Sequence, residues 1–291
     1  MLYNICCFRL VRLEAAPPRE SIMSKTVLIT GAATGMGEAI TFEYVKRGWN
    51  VVATMRDTAK ANPAFADLGN VLVTRLDVTD RASIERAVSE AIDRFGAIDA
   101  LVNAAGYGQI GAVEEVSADQ LRDQFETNVV GLVQVIQAVL PHMRGRGFGH
   151  ILNIGSMGGH VSLPTMALYC ASKSAVQNLT EGLAKEVGPL GIHVTLVEPA
   201  GFNTRFATNS NLPASSIPAY APAYATMAEF DKQAVRGDLV KSMAAVADIT
   251  GIDRPPLHLA LATAGLEMVR GRFAELMDEY ARWEPVTAGT D

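Results

Sequence analysis

Short, almost uninterrupted apolar runs recur along this chain, separated by stretches in which apolar residues return every three or four positions. The runs TVLIT (26–30), NVVAT (50–54), VLVTRL (71–76), DALVN (99–103), HILNIG (150–155) and IHVTLVE (192–198) read as strands. Near-continuous apolarity is expected where both faces of a parallel sheet are covered. LHLAL (257–261) is a shorter strand candidate near the end. Between the runs, Asp80 can cap a helix that carries Ile84, Val88, Ile92 and Phe95 on one stripe, with Gly96 past its end. Ser117 with Gln120 reads as a capping box, opening a long helix through Leu140 that Pro141 stops. A second long helix spans 167–187, and Gly48 and Gly191 stand where helices give way to strands. The alternation predicts one α/β domain over 23–291, a doubly wound parallel sheet of about seven strands with helices on both faces.

After Pro199 the pattern loosens. Residues 205–225 are rich in Ala, Ser, Pro and Tyr, with no strand signal and weak helical periodicity. Placed after the last long strand, a segment near 205–230 reads as a lid over a site at the carboxyl ends of the strands, with an irregular surface connection as the alternative. A helix near 229–249 and a charged helix from 265 to 283 follow.

Composition narrows the function classes. Of 291 residues, 49% are hydrophobic and 19% charged, which describes a globular chain. A net charge of −6 offers no basic footprint for nucleic acid, and no apolar run is long enough to span a bilayer. Cys6, Cys7 and Cys170 make neither a disulfide framework nor a zinc spacing, which fits a reduced, cytoplasmic setting. The five histidines are scattered without metal-ligand spacing, so no metal site is expected. Residues 1–22 carry arginines within their apolar part and do not fit a secretory signal. They read as an extension that is either loosely attached or upstream of a start at Met23.

Two stretches carry candidate chemistry. The first strand runs straight into Thr30-Gly31-Ala32-Ala33-Thr34-Gly35-Met36-Gly37. A glycine-rich turn there lets backbone approach a pyrophosphate, and the following helix supplies free N–H groups and its positive dipole end. Further on, Tyr169 and Lys173 lie four residues apart and so share a helix face. A tyrosine at its ordinary pKa of about 10 is a poor proton shuttle near neutrality, and a neighbouring ammonium favours its phenolate.

The order of TGxxxGxG, Asn103-Ala104-Ala105-Gly106, Ser156 and Tyr169-x-x-x-Lys173 resembles the short-chain dehydrogenase/reductase family. The resemblance is close over 25–204 and looser beyond. It implies a Rossmann-type fold and a nicotinamide cofactor held by Gly31, Thr34, Gly35, Met36 and Gly37, by Asp77 and Val78 near the adenine, and by Asn103, Ala104, Ala105 and Gly106. Tyr169, Lys173, Pro199, Gly201 and Thr204 complete the implied cofactor set. It further implies Tyr169 as general acid and base and Lys173 as the group tuning it. Ser156 would hydrogen-bond the carbonyl oxygen, and Asn128 would hold a relay water.

Met55 stands where NAD-specific relatives place an acid, and Arg56 follows it. A guanidinium can pair a 2′-phosphate through two hydrogen bonds, so NADP(H) is expected ahead of NAD(H), with Asp57 able to neutralise Arg56 instead. Family glycine after Pro199 is Ala200 here, which puts that loop's geometry in question. Met157, Gly158, Gly159, Leu163, Tyr107 and Phe202 are expected to line a mostly apolar pocket for a small-molecule alcohol or ketone. By the same resemblance the helices 117–140 and 167–187 would form homodimer or homotetramer faces. Two other readings stand beside a carbonyl reductase: an epimerase or dehydratase of the extended branch, and a redox sensor that binds the cofactor without turnover.

Overall fold

The computed structural model describes residues 24–206, 210–213 and 217–291. The expected N-terminal extension at 1–22, Met23, Cys6 and Cys7 lie outside the described residues, as does part of the expected lid.

Seven parallel strands form one sheet in the order β3-β2-β1-β4-β5-β6-β7. They are β1 (Thr26–Thr30), β2 (Asn50–Met55), β3 (Val71–Arg75), β4 (Ala100–Asn103), β5 (Gly149–Ile154), β6 (Ile192–Pro199) and β7 (His258–Leu261). Each predicted strand is present to within a residue or two. The cause is the one seen in the sequence: alternate side chains of one run enter two different cores. In β1, Leu28 packs into a cluster with Val88, Val135 and Val176, while Val27 and Ile29 pack into another with Ile40, Tyr44 and Val246.

The first cluster is roofed by α2 (Arg81–Phe95), α4 (Leu132–Arg146) and α5 (Ala167–Val187), and α3 (Ala118–Phe125) precedes α4 in the chain. The second is roofed by α1 (Gly35–Lys46) and α7 (Leu239–Asp248). The caps at Asp80 and Gly96 form as expected, and Ser117 and Gln120 complete a reciprocal capping box.

The helices differ from the sequence reading in four respects. The helix opened by Ser117 does not stop at Pro141 but continues to Arg146, ending at Gly147 in the left-handed region. Pro141 is solvent-exposed, so the backbone carbonyl it leaves unbonded can be met by water. The same helix is interrupted by a π-helical segment at Glu126–Gly131, between α3 and α4. The expected helix near 229–249 is two: α6 (Ala221–Gln233) and α7, separated where Gly237 packs under Phe202 and Asp238 caps α7. The final helix, α8 (Thr263–Ala288), is longer than expected. Among the described residues no helix is long and apolar enough to cross a membrane.

Sheet order reverses between β1 and β4. In open α/β sheets that reversal opens a crevice at the carboxyl ends of the strands.

Candidate active site

The turns after β1 and β4 meet in the crevice. Thr30 Oγ1 accepts hydrogen bonds from the backbone N–H groups of Ala104 and Ala105, both at 3.1 Å. Gly31 has φ 71° and lies so close that a Cβ there would come within 2.9 Å of Ala105 Cα. A Cβ at Gly37 would stand 2.4 Å from the carbonyl oxygen of Gly31. Any side chain at either position would push the turn open. Thr34 precedes α1 in extended conformation and makes no side-chain cap, leaving the first N–H groups of the helix facing outward. Thr204 reaches across from the β6 side, its Cβ 3.7 Å from where a Gly35 Cβ would lie. The cradle therefore has the bare backbone donors that a dinucleotide pyrophosphate needs.

At the ends of β2 and β3 the expected residues take distinct roles. Met55 is buried in the second core, and Arg56 is exposed beside it. Asp57 turns away from Arg56: its carboxylate accepts from Ala59 N at 3.1 Å and pairs with Lys60 at 3.8 Å. Asp77 folds onto its own turn, accepting from the N–H and hydroxyl of Thr79. Val78 packs against Gly131 of the π-helical segment, where a Cβ would be 2.8 Å from its methyl.

Tyr169, Lys173 and Asn128 are all buried and converge beneath the crevice. Asn128 Oδ1 accepts from Tyr107 N at 3.1 Å, and Asn128 Nδ2 donates to Tyr107 O at 2.9 Å and to Ser172 Oγ at 3.1 Å. The π-helical segment is what frees this asparagine from its helix, and such bulges recur at functional sites. Lys173 Nζ donates to Ile154 O at 2.7 Å and lies 5.9 Å from the Tyr169 ring centroid. A Cβ on Gly106 would be 3.1 Å from Asn128 Oδ1 and 3.9 Å from Lys173 Nζ, so the turn after β4 closes directly over both groups. Ser156 Oγ accepts from Gly158 N at 3.0 Å, which fixes the turn that carries it.

Burial governs the acid–base behaviour more than the sequence suggests. The Tyr169 phenol is pushed up to about 12 by desolvation, which outweighs the opposing hydrogen bond from Ser156. Desolvation likewise pulls the Lys173 ammonium down to about 8. In this geometry the lysine's proton is directed at a backbone carbonyl. The phenol stays protonated at neutral pH, as a proton donor must be.

Several expected placements change. Phe202 is buried in the second core rather than lining the crevice, and its ring fills the space beside Gly237. Gly159 lets its turn approach α5, facing the carbonyl of Lys173 and the side chain of Gln177. Gly158 does face Tyr169, with its Cβ position 3.6 Å from the ring. Asn103 steadies the sheet by donating to Asn153 at 3.0 Å. Ala200 keeps an ordinary negative φ, and its Cβ is the close neighbour of Gly265 in α8, so the substitution for glycine introduces no strain. Pro199 closes β6, and Gly201 accepts from Gly237 N at 2.9 Å.

Three contributors escaped the sequence. Ser172 bonds both Asn128 and, at 2.7 Å, the carbonyl of Tyr169. Ile154 contributes only its carbonyl. Phe206 lays its ring 5.2 Å from that of Tyr169. The Ser172 bond follows from its i+3 position after Tyr169, a spacing visible in the sequence. Nothing local marks the other two.

A doubly wound sheet with a glycine cradle at its reversal point, and a Tyr–Lys pair beside it, defines a Rossmann-type dinucleotide-dependent oxidoreductase. Residues 25–214 match the short chain dehydrogenase family, and the chain belongs to it as an NAD(P)-dependent oxidoreductase. It is 34% identical over 260 residues to oxidoreductase BOA17 of Botryotinia fuckeliana, covering 88% of this chain and 94% of that one. It is 39% identical over 186 residues to the 3-ketodihydrosphingosine reductase of Bacteroides thetaiotaomicron, covering 64% and 67%. A short-chain dehydrogenase from Streptomyces avermitilis superposes with a TM-score of 0.86 at 36% identity, covering 92% of this chain and 99% of that one.

Proposed function

We propose that the protein is an NADP(H)-preferring reductase of small-to-medium, mostly apolar ketones, running the reverse oxidation of the matching alcohols. The observation that carries this reading is the convergence of Ser156, Tyr169, Lys173 and Asn128 at the crevice, with an aromatic ring, Phe206, laid against the tyrosine. When bound, the nicotinamide supplies or accepts the hydride at the carbonyl carbon. The chain's own residues do the rest. The glycine cradle and the N-terminus of α1 would hold the pyrophosphate, Arg56 would pair the 2′-phosphate, and Thr204 would contact the nicotinamide carboxamide. Ser156 Oγ donates to the carbonyl oxygen and stabilises the charge developing there. Tyr169 Oη gives that oxygen its proton. Lys173 stabilises the phenolate left behind, and Asn128 positions the route by which the proton is replaced.

The apolar substrate class is supported by the neighbours of Tyr169, and by the Bacteroides relative, which by its name reduces a ketone. Self-association as a dimer or tetramer through α3–α4 and α5, in a cytoplasmic setting, belongs to the same reading, and light scattering measures the assembly.

The test is a panel of ketones and alcohols followed through NADPH and NADH absorbance. Reduction of apolar ketones with NADPH favoured is expected, with Tyr169→Phe binding NADPH yet losing activity by about 10²–10⁴-fold. Turnover equal with both cofactors removes the preference. Absence of turnover across the panel, with NADPH bound equally by wild type and Tyr169→Phe, replaces the enzyme with a sensor.

A further inference from the structure

Behind the serine turn, side chains far apart in sequence converge. His160 follows the 3-10 turn Met157–Gly159, Glu198 sits next to last in β6, and His258 opens β7. In the parallel register Leu196 lies opposite His258, which places residues 196, 198 and 258 on one face of the sheet. His160 Nε2 touches Glu198 Oε1, and His258 Nδ1 lies 3.4 Å from Glu198 Oε2. One ligating atom from each of the three residues falls within 4.8 Å of the others. The side chains of His160 and Glu198 are only 8% and 7% exposed, whereas His258 is 38% exposed and opens the cluster to solvent.

We propose that His160, Glu198 and His258 form a binding site for a divalent transition metal, zinc first, that ties the Ser156 turn to the ends of β6 and β7. A carboxylate held out of water beside two imidazoles is costly unless a cation or a full set of hydrogen bonds compensates it. Two imidazole nitrogens and one carboxylate are a donor set that suits zinc, at about 2.0–2.2 Å from each ligand. Slight separation of His160 from Glu198 makes that room. The outer ring nitrogen of His258, Nε2, stands 3.6 Å from Glu181 Oε1. A carboxylate on the distal nitrogen of a ligating histidine is the arrangement that orients the ring and raises its basicity. The solvent-facing side leaves a fourth position for water. Because Glu198 directly precedes Pro199 and His160 lies four residues after Ser156, the ion would brace two segments of the crevice without touching the reacting atoms.

The full chain is equilibrated with ZnCl2, dialysed, and assayed for metal by mass spectrometry and by competition with a chromophoric chelator. About one zinc per chain is expected for wild type. His258→Ala should bind at least about tenfold more weakly, and Glu181→Gln about tenfold more weakly, as for loss of an outer-shell partner. Added ZnCl2 should raise the melting temperature of wild type and leave that of His258→Ala unchanged. Cys6 and Cys7 are present in every protein compared, so any zinc they take cancels. Equal zinc retention in wild type and His258→Ala, or none in either, overturns the site and leaves an ion-pair cluster only. Wild type loaded with Cu2+ gives a reading independent of any variant: pulsed EPR should show imidazole nitrogen couplings, and their absence overturns the proposal.

Discussion

Asn128 and Ser172 are joined by a 3.1 Å hydrogen bond that links the π-helical segment to the helix carrying Tyr169. Ser172 passes the connection on by donating to the Tyr169 carbonyl at 2.7 Å. Asn128→Ala would remove this bond and leave the half-buried N–H of Tyr107 without its acceptor, while the Tyr107 carbonyl would keep only the 3.3 Å bond from Gln124 Nε2. A stability loss of roughly 1–3 kcal/mol is expected from chemical denaturation. A double-mutant cycle with Ser172→Ala should show coupling of about 0.5 kcal/mol or more. Strict additivity would mean that the two residues act separately.

Phe206 keeps water from one side of Tyr169, and burial is the largest cause of that phenol's raised pKa. Phe206→Ala should therefore move the alkaline limb of the reduction pH–rate profile downward from about 12, toward the ordinary tyrosine range. KM for apolar ketones should rise several-fold, in line with an aromatic contact worth about 0.5–1.5 kcal/mol. An unmoved pH limb would show that the ring does not shield the phenol.

In the proposed NADP(H) preference Arg56 would pair the 2′-phosphate, since Asp57 is occupied by Ala59 and Lys60. Hydrogen bonds to charged groups contribute about 1.5–3 kcal/mol. Arg56→Ala should thus lower kcat/KM with NADPH by roughly 10–100-fold while leaving NADH nearly unchanged. Equal losses with both cofactors would assign Arg56 a structural role.

His150 is buried, its Nε2 beside Thr195 Oγ1 at 2.9 Å, and desolvation pulls its pKa from 6.5 down to about 3. The unfolded chain then binds this proton more readily than the folded one. Stability is full above pH 6.5 and is lost progressively as pH falls from 6.5 toward 3. His150→Gln cannot take up that proton, so the stability of wild type relative to this variant should decline across the window. A constant difference between pH 7 and pH 4 would show that His150 does not titrate differently on folding.

The sequence by itself determined the strands, their parallel pairing, the glycine cradle, and the residue set Asn128, Ser156, Tyr169 and Lys173. Asn128 and Ser156 entered through the family resemblance; the others rest on short-range physics: period-two burial, capping by Asp80 and Ser117, backbone room at Gly31 and Gly37, and the i, i+4 spacing of Tyr169 and Lys173. Tertiary structure decided what depends on neighbours distant in the chain. Pro141 stays helical because its face is exposed, and Phe202 is claimed by Gly237 rather than by the crevice. Desolvation sets the Tyr169 and Lys173 protons, and the sheet order brings His160, Glu198 and His258 into contact. Solvent exclusion and the register of β6 against β7 are properties of the folded whole, so no local run of residues could encode them legibly.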